Sequence, residues 1–239
     1  MKLTSRQQEI LNILYERGKA SVRSLSAELF VTEMTIRRDL VQMQKGGYLK
    51  RYRGGAVLPF DISEMPITER LYVDKNEKKI LCQKCEVYLK DNITVYLDSS
   101  STCQYLIPHI AKYKNILIVT NSVKALISAA ALHIPCLLIG GEYYEQDMCL
   151  VGSLAEEYAH HLNVDVAFFT TAAYSQNDGI ISDFDIRQTM IRKILMKNSK
   201  KNVFLFESSK LNKKLTYTLC TKDDADEVII FDYGTDEEK

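Results

Sequence analysis

The chain has 239 residues, 46% of them hydrophobic and 26% charged, a balance that builds a packed body and argues against disorder. Lys plus Arg and Asp plus Glu both number 31, so overall charge alone selects no polyanionic or acidic partner. No apolar run reaches the roughly 20 residues that cross a bilayer, and the start MKLTSRQQEI has no signal-peptide core; a cytoplasmic protein is expected.

The neutral total hides a division. Residues 1–57 hold eleven Lys or Arg against five Asp or Glu, a net of +6, and the remainder carries −6. A basic module attached to an acidic body is the pattern of a chain that meets a polyanion with one part only.

The first element is a helix with Leu3, Ile10, Leu11, Ile13 and Leu14 at helical spacing, Thr4 or Ser5 as its cap and Gly18 as its stop. Ser21 caps a second helix lined by Val22, Leu25 and Leu29, and Thr32 caps a third that starts at Glu33. On the third helix Ile36, Leu40 and Met43 form the inward stripe, which leaves Met34, Arg38 and Gln42 outward, flanked by Thr35 and Arg37. A helix that turns arginine, glutamine and a hydroxyl outward near its start suits a DNA major groove. After Gly46 and Gly47 the basic, alternating stretch YLKRYRGGAV, with a turn at Gly54-Gly55, predicts a short ribbon whose Lys50, Arg51 and Arg53 reach the DNA backbone or minor groove.

The run SVRSLSAELFVTEMTIRRDLVQMQKGGYLKRYRGGAV closely resembles the winged helix-turn-helix of DeoR-type bacterial transcription regulators, with the TIRRDL core at 35–40 and the wing at 51–56. Arg53 stands where the family's wing usually has histidine. By this reading 1–57 is a winged helix-turn-helix domain, 58–74 a linker with Pro59 and Pro66, and 75–239 a second domain.

That second domain opens with a helix over 75–90, with Ile80, Leu81, Cys82, Val87 and Leu89 inside and the lysines outside. Asn92 follows as its left-handed cap. Six β-rich runs follow, at 93–98, 116–120, 135–140, 164–170, 202–206 and 227–232, separated by helical segments. Such alternation predicts a Rossmann-like α/β domain with a largely parallel sheet covered on both faces, and ligands at the carboxyl ends of its strands. Those ends carry Asp98, Ser99, Ser100, Ser101 and Thr102, then Asn121 and Ser122, Gly140 and Gly141, and finally Glu207 and Lys210. Hydroxyls, free backbone N–H groups at a helix start and a lysine together favour an anion such as phosphate.

The six cysteines sit mostly in apolar runs and read as reduced, buried thiols. Cys82 and Cys85 form a C-x-x-C, but no second pair follows and His160-His161 lacks ligand spacing, so no metal or cofactor is expected.

The body over Lys75 to Asp232 also resembles the DeoR-type sensor domain, a sugar-phosphate-binding fold similar to ribose-phosphate isomerase and glucosamine-phosphate deaminase. The matching positions are Asp98-Ser99, Thr102, Thr120-Asn121-Ser122, Gly140-Gly141, Gly152, Asp165, Gly179, Met190, Ser208-Ser209-Lys210 and Asp232. It departs from the family at Ser100, Ser101, Glu207 and in the stretch TTAAYSQNDG. The resemblance implies a DNA-binding regulator, a repressor of carbohydrate-metabolism genes, that answers to a phosphorylated sugar and works as a homo-oligomer, a dimer or tetramer, on operator DNA. The alternatives are a sugar-phosphate isomerase or deaminase with Asp98 and Glu207 as acid or base, and a regulator whose sensor has lost its ligand.

Overall fold

The computed structural model describes residues 3–46, 48–58 and 65–231, and the chain divides into two compact units, 1–75 and 76–239. Gly47, Pro59 and Asp232, singled out above, lie outside the described residues.

In the first unit, helix α1 (Ser5–Arg17) is opened by a capping box in which Thr4 and Gln7 bond each other's backbone N–H, and Gly18 closes it with a left-handed φ of 70°. Strand β1 (Lys19–Ser21) leads into α2 (Val22–Glu28), capped by Ser21, and α3 (Glu33–Lys45), capped by Thr32, follows. Strands β2 (Lys50–Tyr52) and β3 (Gly55–Val57) form the ribbon, with β3 central between β1 and β2. The turn is Arg53-Gly54, and Gly54 takes the positive φ of 98°. Gly55 instead lies in β3, where a Cβ would collide with the Ala20 carbonyl and the Tyr52 ring. Ile10, Leu14, Leu25, Ile36, Leu40, Met43, Leu49 and Ala56 make the core. The stretch expected to connect the domains contributes to that core: Met65 and Val73 belong to it, and the short helix α4 (Ile67–Arg70) begins with a fully buried Ile67.

Phe30, between α2 and α3, has φ 53° and is 93% exposed. Left-handed backbone costs an L-residue about 1–2 kcal/mol, and a ring this exposed recovers little through packing. Phe30→Gly is therefore expected to raise stability by about 0.5–1 kcal/mol after glycine's own entropic cost, read as a higher urea midpoint; a lower midpoint would mean that the ring holds the turn together.

The second unit starts with α5 (Lys75–Lys84), continued by a 3₁₀ turn at Cys85–Tyr88 rather than by helix to residue 90. Its inward face is Lys78, Leu81, Cys82 and Cys85, while Ile80 and Val87 are exposed. The expected phase was therefore wrong at those two residues and at Lys78. Strands β4 (Thr94–Leu97), β5 (Leu117–Thr120), β6 (Cys136–Leu138), β9 (Val166–Phe169), β12 (Asn202–Phe206) and β14 (Glu227–Ile230) form one six-stranded sheet in the order β14-β12-β9-β4-β5-β6, every pairing parallel. Strict alternation sends Val95, Leu97, Phe168, Val203 and Leu205 to one face and Tyr96, Phe169, Phe204 and Phe206 to the other. The first face packs on α5, α6 (Ile107–Ile110) and α7 (Val123–Ala131). The second packs on α8 (Ser153–His160) and α9 (Ile186–Lys197). Two small antiparallel elements were not expected: the hairpin β7 (Glu142–Tyr144) with β8 (Cys149–Val151), and a sheet of β10 (Ala173–Ser175), β11 (Ile180–Asp183) and β13 (Tyr217–Thr221).

The chain runs β4, β5, β6 outward to one side and then returns to β9 on the other, so the strand order reverses between β4 and β9. A crevice outside the carboxyl ends of those two strands is where a ligand fits in such a sheet.

Candidate functional site

The N-terminal unit holds its third helix by a polar clasp. Asp39, buried, accepts Nε of Arg6 at 2.6 Å and Nε2 of Gln7 at 3.3 Å, tying α3 to α1. The same Gln7 amide donates to Oε1 of Gln42 at 2.9 Å. Gln42, expected to face DNA, is exposed but leans on α1, because the caps of α1 place Gln7 beside it.

The rest of the expected surface is open. Met34 is 75% exposed, and Thr35 stands at the N-terminal turn with its hydroxyl 3.0 Å from that of Thr32. Arg37 pairs with Glu33 at 3.0 Å along the exposed helix face. Such a surface pair contributes only about 0.3–0.5 kcal/mol and releases its arginine readily. Arg38, Lys50, Arg51 and Arg53 are exposed, and none has an ion pair or side-chain hydrogen bond to another described residue. Unneutralised cations on α3, β2 and the tip of the ribbon can bind phosphate oxygens with release of counterions.

In the second unit the strand-end residues are brought together, and most are buried. Asp98, just past β4, is spanned by Nε of Arg192, which lies 3.1 Å from both carboxylate oxygens. The backbone N–H groups of Ser99 and Thr170 donate to it as well, at 2.8 and 3.2 Å. Arg192 also donates to Asp183 at 2.7 Å and to Gln188 at 3.0 Å. The Gln188 carbonyl accepts the Ser99 hydroxyl at 2.9 Å, and its amide nitrogen donates to Asp147. Burial opposes the charge on Arg192, but Asp98 and Asp183 more than reverse that and raise its pKa far above the ordinary arginine value. Sequence reasoning missed Arg192, Gln188, Asp183 and Asp147. Arginine, glutamine and aspartate on the inward face of a helix or beside a strand end were the available signal.

The serine loop after β4 does not lead into a long helix. It enters a 3₁₀ turn at Cys103–Leu106 and then the four-residue α6, so the expected contribution of a helix dipole is absent there. Ser100 Oγ instead accepts the Cys103 N–H at 3.1 Å. After β5, Ser122 caps α7 by accepting from Ala125 at 3.1 Å, and Asn121 accepts the Tyr96 hydroxyl at 3.2 Å. Gly141, past β6, has φ 149° and sits so close to Val151 and Ala155 that a side chain cannot be added, whereas Gly140 faces open space.

At the end of β12, Glu207 is fully buried. One carboxylate oxygen accepts the Thr102 hydroxyl, and the other lies 2.8 Å from Lys210 Nζ. Burial pushes this carboxyl's pKa up, but Lys210, Lys78 and the Thr102 hydroxyl outweigh it and hold the pKa at about 2. Lys78, only 3% exposed, reaches this cluster from α5; its neighbour Glu77 accepts both the backbone N–H and the hydroxyl of Ser208 at 2.7 Å. The buried loop of hydroxyls from Ser99 to Thr102 joins the two charge clusters, Ser99 through Gln188 and Thr102 through Glu207.

All six cysteines are free thiols, five of them buried and Cys136 half-buried. Among the described residues no cluster of His, Cys, Asp and Glu could hold a metal ion, and no helix is long and apolar enough to cross a membrane.

Comparison with known proteins gives two family matches. The DeoR-like helix-turn-helix domain matches residues 6–61, and the DeoR C-terminal sensor domain matches residues 73–232. The HTH-type transcriptional regulator YulB of Bacillus subtilis is 31% identical over 88% of this chain and 81% of its own. The lactose phosphotransferase system repressor of Staphylococcus epidermidis is 27% identical over 92% of this chain and 88% of its own. Among solved structures, ribose 5-phosphate isomerase from Plasmodium falciparum aligns at 19% identity over 58% of this chain and 53% of that one, with a TM-score of 0.43, too loose a likeness to bear on chemistry.

Proposed function

This chain belongs to the DeoR family of transcriptional regulators, and we propose that it represses carbohydrate-metabolism genes by binding an operator with residues 1–57 and is released by a phosphorylated sugar bound in residues 75–239. The observation that carries the DNA part is the set of exposed, unneutralised cations on one small unit, Arg38, Lys50, Arg51 and Arg53. Met34, Thr35 and Arg38 read bases, Arg37 and the ribbon grip phosphates, and Gln42 contributes by steadying α3 against α1. A single module of this size binds weakly, so two or more subunits act together on a repeated or palindromic site. The protein works in the cytoplasm, where operator and sugar phosphate coexist.

The buried loop of hydroxyls at the reversal of strand order, with Asn121, Ser122, Gly140, Gly141 and Lys210 around it, is the place for the effector. Its phosphoryl group finds hydroxyl donors and ammonium charge there, and a sugar finds acceptors. Catalysis is not proposed: Asp98 and Glu207, the carboxylates at the ends of β4 and β12, are both buried in ion pairs, with Arg192 and Lys210.

Selection of bound duplexes from a random-sequence pool tests the reading. The full chain is expected to enrich a symmetric site and to lose affinity for it when one of a panel of sugar phosphates is added, as a ligand that favours one state requires. No enrichment over random duplex would overturn it.

A further inference from the structure

The six-stranded sheet ends at β6, and this edge lacks the devices that usually keep an edge strand from pairing. The Pro135 carbonyl accepts the Ile118 N–H at 2.9 Å and the Ile139 N–H donates to Thr120 at 2.8 Å, so Pro135, Leu137 and Ile139 are the residues that bond β5. Alternate residues of a parallel ladder turn away from it. Cys136 and Leu138 therefore direct their N–H and C=O groups to the open side, where they have no hydrogen-bond partner among the described residues. No bulge interrupts the pairing of β6 with β5, and no Lys, Arg, Asp or Glu occurs from Ala125 to Gly141. The opposite edge strand, β14, begins instead with an exposed Glu227. Helix α7, which packs on β6, exposes Ile127, Ala130 and Ala131 at i, i+3 and i+4, an apolar stripe with no internal partner.

We propose that β6 is the seam of a two-fold dimer, pairing antiparallel with β6 of a second copy of this chain so that the two six-stranded sheets become one continuous sheet. This inference rests on the reading that two or more subunits act together. Complementarity selects the occupant. Outward N–H and C=O groups in alternation are met in full only by another extended strand. The surface around them carries no charge that would attract an acidic or basic partner, and none that would repel its own copy. A dyad at Leu137 sets Cys136 opposite Leu138 of the partner subunit, and each such pair exchanges both of its hydrogen bonds. The apolar stripes of the two α7 helices then lie on the same face of the joined sheet.

Sedimentation velocity of the full chain over a concentration series, free and on a selected operator duplex, tests the seam. The parent is expected to associate. Leu138→Pro is expected to raise the dimer dissociation constant about tenfold or more, because it removes one outward N–H from each copy and none that bonds β5. Leu138→Cys, oxidised with diamide, is expected to give a covalent dimer through Cys136 of the partner subunit, since the Cα atoms of such a pair lie about 5.5 Å apart, within disulfide reach. This second variant keeps the test decisive should the proline variant misfold. An associating parent whose dissociation constant Leu138→Pro leaves unchanged, or a Leu138→Cys chain that stays monomeric on a non-reducing gel, overturns the seam and leaves the reading of joint subunits standing. A parent that is monomeric both free and on the operator overturns both.

Discussion

Replacing Arg192 with methionine is expected to lower the stability of the C-terminal unit by about 3–5 kcal/mol. Arg192 is 4% exposed and its guanidinium serves Asp98, Asp183 and Gln188 together. Removing it strands two carboxylates, 1% and 4% exposed, in a region where water cannot reach them. Burial drives the cost, since a surface pair of the same chemistry contributes about 0–1 kcal/mol. The paired variant Arg192→Met with Asp98→Asn is expected to cost less than Arg192→Met alone, because one stranded charge has been neutralised. Since the chain has no tryptophan, urea unfolding is best followed by far-ultraviolet circular dichroism. A loss below about 1 kcal/mol, the range of a solvent-screened pair, would show that the cluster is not closed to solvent.

The second large effect concerns DNA. Arg38→Ala is expected to weaken binding to a selected operator by about 1–3 kcal/mol, and to relax preference at one base position. The unfolding midpoint should stay unchanged, because Arg38 is exposed and unpaired among the described residues. Arg51→Ala is expected to weaken all duplexes alike and to reduce the salt slope by about one ion. Asp39→Asn provides the contrast: it loosens the tie between α1 and α3, so stability and affinity should fall together. Fluorescence anisotropy over a range of salt concentrations separates these outcomes, and equal affinity of Arg38→Ala and parent would remove α3 from the groove.

Much of this architecture was readable in the residues, for identifiable reasons. The N-terminal helices announced themselves because Thr4, Ser21 and Thr32 each cap one, and the apolar residues between them keep helical spacing. The parallel strands were visible as short β-branched and aromatic runs, since strands buried on both faces must be apolar throughout. The antiparallel pieces escaped. Ala173–Ser175 and Glu142–Tyr144 are three residues each, too short to show a period.

The site was legible only as an inventory. That Asp98, Ser99 to Thr102, Asn121 and Ser122 gather at one sheet edge followed from strand order. What those groups do there did not, because their partners are distant in sequence. Arg192 is 94 residues from Asp98, and Ser208 is 131 residues from Glu77. Lys78 and Arg192 resemble surface residues on a helical wheel, and only the compensating acids explain why they face inward. Gln42 illustrates the opposite case, an outward position whose amide is captured by the neighbouring helix.

The helix that carries Lys78 begins at Lys75, the last residue of the first compact unit. Lys78 therefore lies within one helical turn, about 5.4 Å of rise, of the boundary between the two units. Glu77, one residue before Lys78, accepts both the backbone N–H and the hydroxyl of Ser208, so the first turn of this helix is tied to the carboxyl end of β12.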